Sequence, residues 1–146
     1  MKIEGESNKL VRLNLGCGDK ILKGYINIDT ASSRLGNKPD VIADIRDLKN
    51  IKTSIADEIL AVHVIEHFYY WEVIDLLKGW ARILKTGGKI VLECPNLLYA
   101  CKMIVDDPIK AALPGKEGQI SMWPLYGDPS WKDPLMCHKW AYTPQS

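Results

Sequence analysis

The sequence has little excess charge of either sign and no long apolar run. Nineteen Lys and Arg face eighteen Asp and Glu in 146 residues, and no stretch gathers like charges into a tail. This balance predicts that nucleic acid is not a partner. No window approaches the ~18 apolar residues of a membrane span, and residues 1–10 lack the apolar core of a signal peptide. We therefore expect a cytoplasmic protein with no membrane partner.

Cysteine is sparse and never paired in sequence. Cys17, Cys94, Cys101 and Cys137 form no C-x-x-C motif, which argues against a zinc ribbon and a thioredoxin-like redox centre. We expect free thiols in a reducing compartment. Hydrophobic residues make up 47% and charged residues 25%, so the chain can bury the core of one domain without disulfide or metal support.

Strand-like and helix-like segments alternate over the first two thirds of the chain. Apolar runs predict strands over 10–15, 25–28, 41–45, 59–65 and 89–94, and helical spacing predicts a helix over 71–84, capped by residues 85–88. This alternation is typical of a parallel sheet with right-handed crossovers. Only about seven residues separate Gly18 from Tyr25, so a full first helix does not fit.

The last third of the chain differs in composition. Five prolines and three glycines lie within 99–135, which predicts a long excursion with one short helix over 99–105. Five aromatic residues of this part are expected either to line the site of an acceptor substrate or to cover the sheet: Trp123, Tyr126, Trp131, Trp140 and Tyr142. We divide the domain into a core over 1–98 and this aromatic-rich part over 99–146.

Two features suggest a nucleotide-like ligand. Gly16 and Gly18 follow the first predicted strand, where a turn without side chains lets backbone approach a ligand closely. Asp29 ends the second strand, where a carboxylate can accept hydrogen bonds from both hydroxyls of a ribose. Each feature alone is also typical of an ordinary turn or a solvated acid. Their order and spacing favour the binding interpretation.

The successive strings LNLGCG, YINID, ADI, AVHVIEHF and ARILKTGGKIVLECPN resemble the motifs of class I S-adenosylmethionine-dependent methyltransferases over about residues 11–98. The chain is most similar to small bacterial enzymes of glycan and cell-surface gene clusters, which HKWAYTPQS at its end also resembles. The resemblance implies an α/β, doubly wound, Rossmann-like fold with strand order 3-2-1-4-5. It implies S-adenosylmethionine as cofactor, S-adenosylhomocysteine as product, and a small-molecule or glycan acceptor.

The same resemblance implies the cofactor-binding residues, which are Leu15, Gly16, Cys17, Gly18, Asp29, Asp44, Ile45 and His63. The first four would hold the methionine and ribose portion, and Asp29 the ribose hydroxyls. Asp44 and Ile45 would contact adenine, and His63 would lie beside the methionine portion. Two departures are Asn14, where relatives often have an acid, and Lys20, where they have a third glycine.

His67 and His138 are our candidate catalytic bases, with structural histidines as the alternative. His63, Glu66 and His67 match the zinc-peptidase pattern H-x-x-E-H, which requires one helical face, whereas His63 lies in a predicted strand. We assign no metal ligands. Whether a metal binds here stays an open question, because an acid and a histidine at this place resemble metal-assisted quinone-pathway methyltransferases. Those enzymes, however, have an acid at the position of His63. The alternative is that Glu66 and His67 simply begin the helix, where the dipole favours a carboxylate.

Two other functions remain open. In the first, the domain binds S-adenosylmethionine or a nucleotide without catalysis, as part of a larger assembly. In the second, the protein is an NAD-dependent oxidoreductase, although that family has a third glycine where this chain has Lys20. The string after the fourth strand is not that of base-flipping amino-methyltransferases. The chain also looks truncated before the usual antiparallel strand pair. We therefore expect an exposed fifth strand, covered by 120–142 or by a second copy in a homodimer.

Overall fold

The computed structural model of the protein describes residues 10–30, 35–113, 116–128 and 132–145. The chain forms two compact units. The first comprises Met1–Val64 with Trp71–Glu93, and the second comprises Ile65–Tyr70 with Cys94–Ser146. The division predicted from the sequence, 1–98 and 99–146, stays a prediction.

The first unit is built on a parallel sheet. Its strands are β1 (Arg12–Leu15), β2 (Ile26–Asp29), β3 (Val41–Ile42), β4 (Ala56–Val62) and β5 (Leu84–Glu93). Their order is β3-β2-β1-β4-β5, and all pairs are parallel. Leu13 pairs with Ile26 on one side and with Ile59 on the other, so β1 lies in the buried centre. The predicted fold class and strand order are confirmed.

Helix α1 (Tyr70–Ile83) confirms the helix predicted over 71–84. Its buried residues recur on one face, and Nε1 of Trp80 donates a hydrogen bond of 3.0 Å to the carbonyl of Ile45. The prediction of a separate cap over 85–88 is wrong, because β5 begins directly at Leu84. Gly87, with φ of +81°, lies where the register of β5 shifts against β4, so its left-handed backbone forms a bulge inside the strand.

No helix connects β1 to β2, as the short spacing predicted. Two buried amides hold this connection instead. Nδ2 of Asn14 donates to the carbonyl of Lys20 and to Oδ1 of Asn27, each at 2.9 Å. Oδ1 of Asn27 also accepts from the backbone of Leu22 at 2.8 Å, and Nδ2 donates to Asp40 at 2.8 Å. Side chains thus satisfy backbone groups that a crossover helix would satisfy internally.

The second unit contains helices α2 (Leu97–Asp106), α3 (Pro108–Ala112) and α4 (Lys116–Tyr126), and a 3₁₀ turn at Pro134–Met136. The prediction of a long excursion over 99–135 with a single short helix is therefore wrong. Asn96 caps α2 by accepting from two backbone amides, and Asp107 caps α3 with Pro108 at its first position. A proline at that position begins a helix rather than breaking one. No helix in the described ranges is long and apolar enough to cross a membrane.

Candidate functional site

The turn after β1 combines two glycines with different surroundings. Gly16 (φ +64°) and Gly18 (φ +49°) both take left-handed backbone, which favours glycine. A Cβ at Gly16 would lie 2.7 Å from Cγ2 of Val64, whereas one at Gly18 would meet no atom within 4 Å. Gly16 is therefore required by packing. Gly18 presents its backbone to open space, as the approach of a ligand requires.

Asp29 lies at the carboxyl end of β2 and is bonded to this turn. Its Oδ2 accepts from the backbone N–H of Gly18 at 2.8 Å, and its Oδ1 accepts from the N–H of Thr30 at 2.7 Å. A carboxylate has about four lone-pair positions. The Thr30 hydroxyl also donates to Oδ1, at 3.3 Å. These three hydrogen bonds fix the orientation of the carboxylate and leave it able to accept from a ligand. The structure thus brings Asp29 and the glycine turn together.

Leu15 lies before the two glycines and Cys17 lies between them. Both side chains point into the protein. Leu15 is fully buried, so its backbone is the part available to a ligand. Burial, reinforced by the negative charge of Asp29, raises the pKa of the Cys17 thiol to about 11. A thiol that stays protonated is a poor nucleophile. Cys17 therefore has the chemistry of a packing residue in the turn.

The predicted adenine contacts follow β3, which is shorter than the expected 41–45. Asp44 forms a forked ion pair with Arg46, with Oδ2 2.6 Å from Nη2, and these hydrogen bonds lower the pKa of Asp44. Ile45 is buried and its carbonyl accepts from Trp80. An adenine amino group would share the Asp44 carboxylate with Arg46.

His63 directly follows β4, because the strand spans residues 56–62 and not the predicted 59–65. Its φ of +56° turns the chain out of the sheet, and its N–H donates to the carbonyl of Glu93 at 2.8 Å. Its half-exposed ring lies 3.8 Å from the Glu93 carboxylate. Parallel strands end at one edge of the sheet, so β1, β2 and β4 carry the glycine turn, Asp29 and His63 at the same edge, where doubly wound folds bind ligands.

The second unit holds a separate cluster of Glu66, His67 and His138. Glu66 is 1% exposed, and its Oε1 lies 4.0 Å from Nε2 of His138. The His67 and His138 rings meet edge to face with centroids 4.9 Å apart. The carbonyl of Glu66 accepts from Lys139 at 2.7 Å and from Trp140 at 3.3 Å, which ties the two segments together. The structure thus brings both predicted bases into one cluster.

Glu66 was not among the site residues predicted from the sequence. It lies in a 3₁₀ turn, Ile65–His67, and α1 begins only at Tyr70, so the interpretation that it starts the helix is wrong. The signal was present in the string HVIEH. An acid and a histidine beside three β-branched residues indicate polar groups that enter the interior together.

Both imidazoles of the cluster are suited to offer a lone pair. Burial is the main cause that lowers the pKa of His67 to about 4, and His138 acts in the same direction, so the ring is neutral at pH 7. Nδ1 of His67 is buried and has no hydrogen-bond partner within the described ranges. Nδ1 of His138 lies 3.0 Å from the carbonyl of Pro124. A carbonyl only accepts, so we assign a proton to Nδ1 of His138, and Nε2 is the ring atom that faces Glu66.

The structure describes the surroundings of four of the five aromatic residues predicted from the sequence to line a site or cover the sheet. Trp140 packs against Tyr70 with centroids 4.8 Å apart, Tyr126 is exposed, and burial raises the pKa of Tyr142. Nε1 of Trp123 is buried without a hydrogen-bond partner in the part of the chain that is described. Trp131 lies outside the described residues. Whether these residues wall an acceptor site or cover the sheet stays a prediction.

The chain is similar to known methyltransferases in sequence and in fold. The family model described as "Methyltransferase domain" matches residues 13–92. A solved S-adenosylmethionine-dependent methyltransferase from Archaeoglobus fulgidus is similar in fold, with 19% identity and a TM-score of 0.60. The alignment covers 94% of this chain and 57% of that one, so the chain spans less than two thirds of that structure's length. A search of curated proteins gives no match.

The family and the fold imply S-adenosylmethionine as the cofactor, and the residues present fit it. The fit rests on the open space at Gly18 and on the anchored carboxylate of Asp29, which a ribose requires. The methyltransferase family model covers more than half of the chain, including every strand of the parallel sheet except the first residue of β1 and the last of β5. On this match, the chain belongs to the methyltransferase-domain family.

Proposed function

We propose that this protein transfers a methyl group from S-adenosylmethionine to a small-molecule or glycan acceptor. The observation that carries the proposal is the hydrogen bond from Gly18 to Asp29, 2.8 Å long, at the carboxyl ends of β1 and β2. This bond joins a backbone surface open to a ligand with an acceptor suited to ribose hydroxyls. Family membership supplies the reaction class.

In this proposal the first unit binds and orients the cofactor. Gly16, Cys17 and Gly18 contribute backbone, together with that of Leu15, while Asp29 accepts from the ribose. Asp44 and Ile45 contact adenine, and His63 lies toward the methionine portion. Bound S-adenosylmethionine supplies a methyl group already activated on a sulfonium. The chain's own contribution is therefore mainly alignment of donor and acceptor.

Asn14 explains one departure from related methyltransferases. An acid at this position would contact the amino end of the cofactor, but Asn14 directs both of its amide donors to the β1–β2 connection. We infer that Asn14 is a positioning residue, which holds the shortened crossover so that the glycine turn keeps its shape. The amino end of the cofactor then needs another acceptor.

His67 and His138 are retained as the proposed groups that act at the acceptor. A neutral imidazole accepts either a proton or a metal ion through one lone pair, and these uses exclude each other. A base is required only if the acceptor loses a proton on methylation. If an imidazole is the base, His138→Asn should lower kcat and leave the affinity for S-adenosylhomocysteine unchanged.

The acceptor class is proposed from the aromatic residues of the second unit. Flat apolar rings suit sugars and other small rings. Trp123→Ala should raise the KM for the acceptor and leave the affinity for S-adenosylhomocysteine unchanged. An unchanged KM would remove Trp123 from the acceptor site and favour the role of covering the sheet.

We also propose a cytoplasmic location and a homodimer. Free Cys17, Cys94, Cys101 and Cys137 suit a reducing compartment. In the sheet, β5 pairs only with β4 among the described strands, and Val91 and Leu92 are 38% and 39% exposed. An edge of this kind is normally covered or paired. Analytical ultracentrifugation tests the dimer, and a monomer at every concentration would exclude it.

One calorimetric experiment separates the proposed function from its alternatives. The protein is titrated with S-adenosylhomocysteine and, separately, with NAD. We expect stoichiometric binding of S-adenosylhomocysteine and none of NAD. Preference for NAD would favour an oxidoreductase. Binding of S-adenosylmethionine without turnover on any acceptor in a panel of sugars and small hydroxy compounds would favour a non-catalytic binding domain.

A further inference from the structure

We propose that Glu66, His67 and His138 bind a divalent transition-metal ion of the Zn²⁺ type in the second unit. The observation behind this is the meeting of one carboxylate and two imidazoles whose candidate ligand atoms all lie within 4.8 Å of one another. Metal binding by these side chains does not depend on the proposed methyl transfer. Only the use of the metal in catalysis rests on that function.

The spacing of the cluster is close to that of a metal site. Bonds of about 2.0–2.1 Å in a tetrahedron place ligand atoms about 3.3 Å apart. The Glu66 and His138 atoms are separated by 4.0 Å, so a movement of less than about 1 Å along that pair brings them to the required distance. Hydrogen bonds from Lys139 and Trp140 to the Glu66 carbonyl hold together the two segments that carry these ligands.

The surroundings of His138 match those of a metal-bound histidine. Ligating imidazoles generally donate their second N–H to a carbonyl or carboxylate, which fixes the tautomer. In this protein the Pro124 carbonyl lies 3.0 Å from Nδ1, and the backbone of His138 donates to Tyr126 at 3.3 Å. Nε2 is thereby directed at Glu66 as a ligand would be.

The donor set indicates the type of metal. Two imidazole nitrogens and one carboxylate oxygen suit Zn²⁺ and its neighbours rather than Mg²⁺ or Ca²⁺, which prefer oxygen ligands. Three protein ligands are typical of zinc sites that keep a fourth position for water or substrate.

The proposal changes the role of the two histidines. With a metal bound, both imidazoles are ligands, and neither is a general base. An acceptor hydroxyl at the open position would bind the metal through oxygen, and its O–H pKa would fall, so that its proton leaves to solvent. This consequence rests on the proposed methyl transfer, whereas the site itself does not.

The test uses the full chain after treatment with EDTA and removal of the chelator. Titration with Zn²⁺ should show one ion per chain. His138→Asn and Glu66→Gln should each weaken binding by at least about 10-fold, the lower end of the range for perturbed metal sites. Asp75→Asn is the control for the loss of a carboxylate, because Asp75 is exposed, pairs with Lys78 and lies outside the cluster. It should keep the wild-type affinity for Zn²⁺.

A measurement on the wild-type protein decides the question if a variant does not fold. Zinc K-edge X-ray absorption of the loaded chain should show two imidazole ligands and oxygen or nitrogen donors only. Absence of stoichiometric Zn²⁺, a spectrum with sulfur ligands, or equal losses in Asp75→Asn and Glu66→Gln would overturn the proposal. The wild-type chain is also titrated with S-adenosylhomocysteine. Binding of S-adenosylhomocysteine without Zn²⁺ overturns the metal site alone, whereas binding of Zn²⁺ without S-adenosylhomocysteine contradicts the proposed function alone.

Discussion

Each unit of this protein contains a group of polar side chains built around buried members, and the two groups differ in where their polar atoms are directed. In the first unit, Asn14, Asn27 and Asp40 bond to one another and to the backbone of the β1–β2 connection. In the second unit, the ligand atoms of Glu66, His67 and His138 face one another across 4.8 Å or less. The first arrangement holds a loop. The second arrangement is suited to hold a ligand.

The difference shows why burial of polar residues is not by itself a sign of function. Asn14 and Asn27 are 4% and 2% exposed, as deeply buried as Glu66, yet their hydrogen bonds are used within the fold. A buried polar group costs free energy unless it is bonded, so a bonded network can be purely structural. The direction of the donor and acceptor atoms, rather than their depth, separates the two cases.

The largest expected effect concerns the structural network. Asn27→Ala should lower the free energy of unfolding by about 2 to 4 kcal/mol, because it removes the acceptor of the Asn14 amide and of the Leu22 N–H and the hydrogen bond to Asp40. Urea denaturation measures the change. Asn37→Ala is the control, since Asn37 is exposed, and it should stay within about 0.5 kcal/mol of wild type. Similar losses in both variants would show that the network does not hold the connection.

The next effect compares thiols of the two units. Cys17 is buried and its pKa is about 11, whereas an ordinary cysteine thiol has a pKa of 9.0. Its thiolate population near pH 8 should therefore be about 100-fold below that of an ordinary thiol. Alkylation by iodoacetamide, followed by peptide mass spectrometry, should leave Cys17 at least that much slower than exposed Cys101. The rate at Cys17 should keep rising toward pH 11. Equal rates at pH 8 would contradict the burial of the turn.

A smaller effect tests the carboxylate at the cofactor edge. Asp29→Ala should weaken binding of S-adenosylhomocysteine by about 1.5 to 3 kcal/mol, roughly 10-fold to 150-fold, because a charged acceptor for two hydroxyls is lost. Asp29→Asn keeps an oxygen for the Gly18 N–H and should lose less. Asp47→Ala, at an exposed acid paired with Lys49, should bind normally. Unchanged affinity in Asp29→Ala would remove this residue from the site.

Much of the first unit could be predicted because local patterns and tertiary structure agree there. Apolar runs mark buried strands, and helical spacing marks α1, since each segment must bury one defined face. The β1–β2 connection without a helix followed from chain length alone. How it is stabilised did not, because the bonds of Asn14 and Asn27 join residues that only the folded sheet brings together.

The second unit was predicted less well for two physical reasons. Pro108 begins α3 because Asp107, the residue before it, caps that helix at its N-terminus. Composition alone does not distinguish such a proline from one in a loop. The cluster joins Glu66 and His138, which are far apart in sequence, through backbone bonds at Lys139 and Trp140. Both histidines were predicted as site residues from the sequence, and this stays a prediction, but the carboxylate of Glu66 beside them was visible only once the chain was folded.

The central claim is that the carboxyl ends of β1 and β2 bind the nucleoside of S-adenosylmethionine. A crystal structure of the protein with S-adenosylhomocysteine tests it most directly. We predict both ribose hydroxyls within hydrogen-bond distance of the Asp29 carboxylate, the backbone of Gly18 against the ligand, and adenine beside Asp44 and Ile45. A nucleoside bound elsewhere, with Asp29 contacting only Gly18 and Thr30, would contradict the account.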